Sequence, residues 1–483
     1  MTSGGEPAIA DAAIGRTRQR WDAGAAYSRP VQRIWVLACV LAVTATARAD
    51  GLSIVGGSPR AIGRAGTGTV GDDGGGALLV NPAAIARRDT VRGQVGIAFV
   101  DDSVAWHADA GGTPVSRDQA GVSVAPLAAA IGSVGPWILG AGVMTAGVTD
   151  RALRDPADVL DADKLGRAFD YRYAGIAGTI RRDTVTLGIA RRLGDAVAIG
   201  ISGGLSRVSI SERRRIWAGF ESTLPPGHGV GDPSRDVELG LSAHDNVSPS
   251  AVAGVLIAPA DSPVELGASV GWARTVHASG EVAASGMSGG TTVRLGGPTS
   301  QLAVRQPLAI RAGARYLGDR FVAELGGDLW IARDSAQRAT WRLTDVNVID
   351  PSSLEVELLA VPSRISQRTH GAVRLALDVE LIAGFLWATG GYAYTVGSTT
   401  PSRLSASFGD LGGSTFALGL EGTAGGITVT LGWSRTLALA AHGSDDLRLD
   451  NPFGAGDRAV PAGTLDAAAD QLGILLDVEL DPP

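Results

Sequence analysis

The stretch Val264-Glu265-Leu266-Gly267-Ala268-Ser269-Val270-Gly271-Trp272 puts an apolar residue at every second position, with acidic, small or hydroxyl residues between. Side chains of a strand point alternately to its two faces, so the stretch reads as a strand with one face in an apolar medium. The pattern recurs along the chain. Leu308, Ile310, Ala312, Ala314 and Tyr316 alternate with Arg311, Gly313 and Arg315; Phe321, Ala323, Leu325, Leu329 and Ile331 oppose Glu324, Gly326 and Asp328. Ile427, Val429, Leu431 and Trp433 oppose Thr428, Thr430 and Ser434.

A soluble β-sandwich also alternates, but two details favour a membrane barrel. Trp272, Tyr316, Phe321, Trp330, Tyr392 and Trp433 stand at the ends of the apolar stripes, where an interfacial girdle belongs. Arg311, Arg315, Glu265, Glu324 and Asp328 occupy the opposite face, as a wet lumen requires. Loop lengths add a parity test, because outer-membrane barrels join strands by short periplasmic turns and long extracellular loops. Long polar connections are expected near residues 109–118, 148–182, 210–247, 278–302, 335–368, 397–413 and 438–466. Short turns are expected near Gly132 to Gly135, Leu193 to Asp195, Pro259 to Ser262, Gly318-Asp319, Leu381 to Ala383 and Gly425. If every long connection is extracellular, the apolar patch Tyr171 to Ile180 belongs to a loop. Residues 91–108 then form one strand bent near Asp101-Asp102. The count reaches about fourteen, ending with Leu472 to Leu480, so the expected fold is an all-β transmembrane antiparallel β-barrel.

The start of the chain agrees with export. Ile34 to Ala45 is an apolar run preceded by Arg29 and Arg33 and followed by Ala47-Arg48-Ala49, which reads as an extended signal peptide cut after Ala49. No later apolar run approaches the length a membrane-spanning helix needs, so membrane passage falls to strands. Cys39, the one cysteine, lies in the signal, leaving no thiol or disulfide in the mature chain. Removal of residues 1–49 takes six arginines and three acidic residues and moves the net charge from −7 to −10. An acidic exported chain argues against nucleic-acid binding. The 68 glycines fit many short, weakly apolar strands.

Residues 50–89 show no sustained helix or strand pattern. They are rich in Gly, Ala and Asp, with Asp72-Asp73-Gly74-Gly75-Gly76 followed by Leu79-Val80-Asn81-Pro82-Ala83-Ala84. A barrel of about fourteen strands encloses more volume than its own side chains fill, and a compact glycine-rich coil can occupy it. Asn81 can bridge backbone groups there, Pro82 fixes φ and removes a donor, and Gly74 to Gly76 allow unusual backbone geometry.

The order Gly63-Arg64-Ala65-Gly66, Asp72-Asp73, Leu79-Val80-Asn81-Pro82-Ala83-Ala84 resembles the start of the FadL/TodX family of outer-membrane transport proteins for hydrophobic compounds. Leu266 to Arg274 with His277 and Gly280 is similar to a mid-chain strand of that family. Gly391-Tyr392-Ala393-Tyr394 with Thr400-Pro401, Gly409-Asp410 and the strand from Thr415 resembles its late-barrel block. The resemblance spans most of residues 50–480 and is weakest in the long loops. It implies a hatch inside a fourteen-stranded barrel at residues 50–89, with Asn81, Pro82 and Ala83 as its hallmark turn. It also implies passive uptake of fatty acids or aromatic hydrocarbons, with release through a side opening. The expected partners are those hydrophobes, outer-membrane lipid and lipopolysaccharide. A monomer without a cofactor is expected, and a general porin or structural barrel is the rival.

Other signals carry less. Gly66-Thr67-Gly68-Thr69-Val70-Gly71 matches a dinucleotide fingerprint, but no strand leads in and no helix follows. Gly200-Ile201-Ser202-Gly203-Gly204 matches a nucleophile elbow, yet it lies within a strand, so Ser202 reads as a wall residue. The six histidines show no metal spacing, and Asp445-Asp446 lacks the order of an EF-hand. Val159, Leu160, Leu165 and Phe169, or Ile216, Trp217 and Phe220, are candidates for a loop groove, with local packing the commoner fate of such residues. Arg213-Arg214-Arg215 reads as a solvated charge run or as a contact for carboxylate or lipopolysaccharide.

Overall fold

The computed structural model describes residues 57–480 apart from 88, 109–114, 156–168, 221–230, 288–289, 333–338, 366–367, 400–403, 443–448 and 455–462. The expected signal segment with Cys39, Val159, Leu160, Leu165, Thr400-Pro401 and Asp445-Asp446 therefore lie outside the described residues.

Fourteen antiparallel strands close into one ring. In chain order they are β1 (Val91–His107), β2 (Ser123–Val134), β3 (Trp137–Ala152), β4 (Ala177–Leu193), β5 (Val197–Trp217), β6 (Asp236–Ile257) and β7 (Val264–Ala273). They continue with β8 (Leu308–Leu317), β9 (Phe321–Ile331), β10 (His370–Ile382), β11 (Leu386–Val396), β12 (Gly412–Ala424), β13 (Ile427–Ala438) and β14 (Thr464–Leu480). Each strand pairs with its neighbour in this order, and β14 pairs back onto β1 from Leu480↔Val91 to Thr464↔His107 without a register shift. Closure removes the free edges that an open sheet exposes.

The alternation is inside-out relative to a soluble protein. On β4, Val185 and Leu187 face outward while Thr184 and Thr186 are buried. On β7, Leu266, Val270 and Trp272 face outward while Glu265, Gly267 and Ser269 are buried. Tyr316, Phe321, Tyr392 and Trp433 are likewise exposed, but Trp330 is not. It stands one position out of phase with Leu329 and Ile331, points into the lumen and stacks on His370 with ring centroids 4.9 Å apart. Tight turns close one rim. Gly135 between β2 and β3, and Gly425-Gly426 between β12 and β13, adopt the positive φ that a two-residue hairpin turn demands.

The opposite rim carries the long connections, which hold more strand than the loop pattern predicts. Residues 91–107 form one strand, paired along its whole length with β14 and therefore without a break at Asp101-Asp102. The patch Tyr171 to Ile180 is divided: Tyr171–Ala174 is a helical turn, and β4 starts at Ala177. Strands β5 and β6 outrun the wall, and Val237–His244 of β6 pairs with a strand at Val276–Gly286. That strand pairs with Thr292–Val304, which pairs with Thr340–Ile349. These elements enclose a second apolar core that includes Ile216, Leu239, Val282, Leu302, Trp341 and Val348. Amphipathic strands alternate whether they face lipid or pack on one another, so the connections expected to be loops from their length contain strands of their own.

Candidate functional site in the lumen

Inside the ring lie α1 (Pro59–Ile62), α2 (Ala77–Val80) and a 3₁₀ turn at Pro82–Arg87. Ser58 caps α1 by accepting from the Ala61 amide at 3.2 Å, with Pro59 at the first helical position. A residue before proline is pushed out of the helical region, so α2 stops at Asn81, which has φ −150° and ψ 94°.

Asn81 is fully buried. Its Nδ2 donates to the Thr69 carbonyl at 2.8 Å and to the Val255 carbonyl of β6 at 3.2 Å, and its Oδ1 accepts from the Ala83 amide at 3.2 Å. The turn thus joins two parts of the inner segment to the wall. Asp72 Oδ1 accepts from the Gly74 amide at 3.1 Å and Oδ2 from Ser58 Oγ at 3.0 Å. Asp73 pairs with Arg60 and with Arg92 of β1, each at 3.4 Å. None of Gly74, Gly75 and Gly76 has positive φ, so space is what they provide, not backbone freedom. A Cβ on Gly75 would stand 2.6 Å from Ala129 Cβ of β2, and its amide donates to Gln94 Oε1 of β1 at 2.7 Å.

The wall meets the segment with glycines and buried charges. Gly140↔Gly188, Gly200↔Gly254, Gly267↔Gly313 and Gly419↔Gly432 are cross-strand neighbours, all at inward positions. A Cβ on Gly200 would lie 2.5 Å from the Pro82 carbonyl carbon, and one on Gly432 2.7 Å from the Gly63 amide nitrogen. Arg64 of the segment pairs with Asp378 of β10 and, at 2.8 Å, with Glu324 of β9. Glu324 also accepts from the Val70 and Gly71 amides at 2.9 and 3.2 Å. Arg87 makes a two-pronged contact with Glu265 of β7, both bonds 2.8 Å. Such planar pairs fix orientation as well as contribute energy.

The carbonyls left open at the end of α2 are satisfied from the wall. Ser202 Oγ donates to the Leu78 carbonyl and Ser269 Oγ to the Val80 carbonyl, each at 2.6 Å. Ser202 is therefore an inward wall residue on β5. The expected lumenal charges Glu265, Glu324, Asp328, Arg311 and Arg315 all face inward. What the motif reading missed is the glycine seam, although an inward-phase glycine on strand after strand is visible in the sequence.

Between the segment and the long-loop rim lies a cavity of about 170 Å³, lined by Leu79, Ala146, Arg182, Arg311, Trp330 and Arg374 among others. A neighbouring cavity of about 140 Å³ shares Trp330 and Arg374 with it. Beside them the wall ladder is interrupted. Pairing of β2 with β3 ends at Leu127↔Met144, although β2 continues back to Ser123 and β3 forward to Ala152. Past that point β3 carries a bulge at Ala146, where its register with β4 shifts between Thr145 and Gly147. Strict alternation ends there: Met144, Thr145, Gly147, Val148 and Thr149 are all buried. Val148 belongs to one apolar cluster with Ala125 of β2, Ala98 and Val100 of β1, and Ile62 of α1.

The loop candidates among the described residues are packed against the protein. Ile216 and Trp217 are buried, Phe220 packs on Phe453 at 5.0 Å, and Phe169 on Tyr171 at 6.4 Å. The Arg213-Arg214-Arg215 run is not a solvated face. Arg214 and Arg215 are buried, Arg215 bonding Asp155 at 2.7 Å and Arg214 lying 3.3 Å from Asp450. Nearby, Arg172 bonds Asp236 at 2.8 Å, and Tyr173 Oη donates to the same carboxylate at 2.6 Å. Burial, and then the Asp236 charge, push the Tyr173 hydroxyl well above its usual value, so it remains a donor.

No protein-family model and no curated protein sequence matches the chain. Solved structures do. A Pseudomonas aeruginosa FadL homologue superposes with a TM-score of 0.62 at 13% identity, covering 89% of this chain and 99% of its own. The Pseudomonas putida toluene transporter TodX gives 0.62 at 14% identity, covering 90% and 100%. The Ralstonia pickettii toluene transporter TbuX gives 0.57 at 13%, covering 86% and 97%. The chain has the FadL/TodX-type fold.

Proposed function

We propose that this chain, built on the fold of the FadL homologue and TodX, is an outer-membrane channel for passive uptake of hydrophobic molecules such as long-chain fatty acids or aromatic hydrocarbons. In this reading residues 1–49 direct export, 50–89 form the hatch and 90–483 the barrel. The long-loop rim faces outward from the cell. No catalysis, cofactor or energy coupling takes part, and the channel works as a monomer in outer-membrane lipid and lipopolysaccharide.

The carrying observation is the break in the β2–β3 ladder beside the cavity. A straight path toward the short-turn rim crosses Arg64, Glu324 and Asp378, whose buried pairs must be broken. Breaking one such pair costs about 3–5 kcal/mol. A sideways path past Ala146 leads instead to the apolar outer face, where burial of an apolar solute is favourable. Trp330 in the cavity supplies an aromatic surface on which the solute can rest before it leaves.

The Asn81-Pro82-Ala83 turn holds the hatch closed, because Asn81 ties Thr69 to the β6 wall. With Asn81→Ala, small-solute leakage rises; unchanged leakage and unchanged uptake together would refute this role. For the whole reading, uptake of labelled oleate and toluene is compared in cells with and without the protein. Equal uptake, with ion conductance in planar bilayers, would replace it with a general porin or structural barrel.

A further inference from the structure

We infer that Arg181 is a clasp across the wall gap, closing the lateral exit from its outer side and setting the rate at which solute leaves. The inference rests on lateral release as proposed above. Arg181 lies on β4 in the same phase as Val185 and Leu187, whose side chains point outward. A charge on that face of a membrane barrel carries a cost, and Arg181 shares it with Asp183 of the same phase and with Arg207, the exposed β5 partner of Asp183. Its contacts indicate what it does there.

The guanidinium reaches over β3. Arg181 Nε bonds both oxygens of Asp183 at 2.9 and 3.1 Å, which holds the side chain in place. Nη2 donates to Thr145 Oγ1 at 3.0 Å, at the residue just before the bulge. Nη1 goes on to the Val124 carbonyl of β2 at 2.9 Å. Val124 lies beyond the last β2–β3 pair, so a β4 side chain bridges to β2 where β3 makes no ladder with it. Thr145 Oγ1 in turn donates to Asp183 Oδ1 at 2.6 Å, tying the β3 edge to the same group.

The gap therefore has two closures of different chemistry. From within, Ile62 of the hatch segment shares an apolar cluster with Ala125 and Val148, which an apolar solute can part without breaking a hydrogen bond. From outside, widening the gap requires Arg181 to release a carbonyl and a hydroxyl. Hydrogen bonds to a charged group are the stronger kind, so this is the slower step.

The test uses the full-length protein in outer membranes, with labelled toluene as probe and heat-modifiable gel migration as the check on folding. Deleting Ala146 removes the bulge and lets β3 continue its ladder; Ala146→Trp fills the cavity side of the same point. Both are expected to reduce uptake to background. Arg181→Met keeps the stem and removes the donors, and Thr145→Val removes one anchor. Each is expected to speed uptake, by about fivefold for Arg181→Met, with ion conductance unchanged because the hatch stays seated. Arg181→Lys should fall between. Blocked uptake in the Ala146 variants, with Arg181→Met and Thr145→Val at or below the wild-type rate, overturns the clasp and leaves lateral release standing. Unchanged uptake in both Ala146 variants overturns lateral release, and the clasp with it.

Discussion

Asn81 and Gly254 occupy one space: the amide oxygen of Asn81 lies where a Cβ on Gly254 would be, and the Asn81 Nδ2 bonds the carbonyl of the next residue, Val255. The turn at Asn81 and the sixth wall strand fit because one has a short polar side chain and the other has none. Gly254→Ala is therefore expected to unseat the turn while leaving the strand, whose outward face is untouched. Overpacking of this kind costs about 1–3 kcal/mol. Single-channel recording tests it: frequent openings are expected, and a conductance as quiet as the parent's would sink the prediction.

Arg64 meets Glu324 and Asp378 from the two wall strands β9 and β10. Removing the guanidinium leaves Glu324 and Asp378 without the arginine that bonds both, with Arg60 and Arg315 as the remaining positive charges acting on Asp378. Arg64→Ala should therefore be far worse than Thr67→Ala in the same segment. Leaving such a charge uncompensated costs about 3–5 kcal/mol. The measurement is protease cleavage within residues 57–88 in intact outer membranes, expected to rise sharply for Arg64→Ala. Equal protection of the two variants would show that the pairs do not hold the hatch.

The sequence made the wall legible because membrane strands must alternate, and Val264 to Trp272 or Ile427 to Ser434 can do so in only one register. It also made the end of the helix at Val80 legible, since Asn81 before Pro82 stops it for local reasons. Contacts between distant positions were hidden. Nothing local shows that Arg214 and Arg215 are buried against Asp155 and Asp450, or that Gly254 makes room for Asn81. Trp330, expected in the outer girdle for its aromatic ring, lies in the lumen because it shares the strand phase of Asp328. The long connections hold more strand than loop lengths predict, because the strands at residues 276–286 and 340–349 alternate as wall strands do while pairing with the strand at 292–304 between them.

Ser202 completes a nucleophile-elbow pattern but donates its hydroxyl to the Leu78 carbonyl. Ser202→Ala leaves that buried carbonyl without its partner, a loss of about 1–3 kcal/mol. The expected result is a lower temperature of heat-modified gel migration with no change in ester hydrolysis above background. Loss of a measurable esterase activity in the variant would contradict the structural role.

Leu187 on β4 is 65% exposed, and its neighbours of the same phase are apolar. In water such a surface is a liability; in lipid it is the anchoring face. Leu187→Arg should cost about 2–4 kcal/mol if the side chain sits near the bilayer midplane. Thr395→Arg is the matched control, because Thr395 lines the inner cavity that already holds Arg151 and Arg374. The two variants are compared by urea unfolding in phospholipid vesicles, where the outward arginine is expected to lower stability by several times more than the inward one. If both fall equally, the outward stripe is not facing lipid, and the membrane assignment of the barrel fails with it.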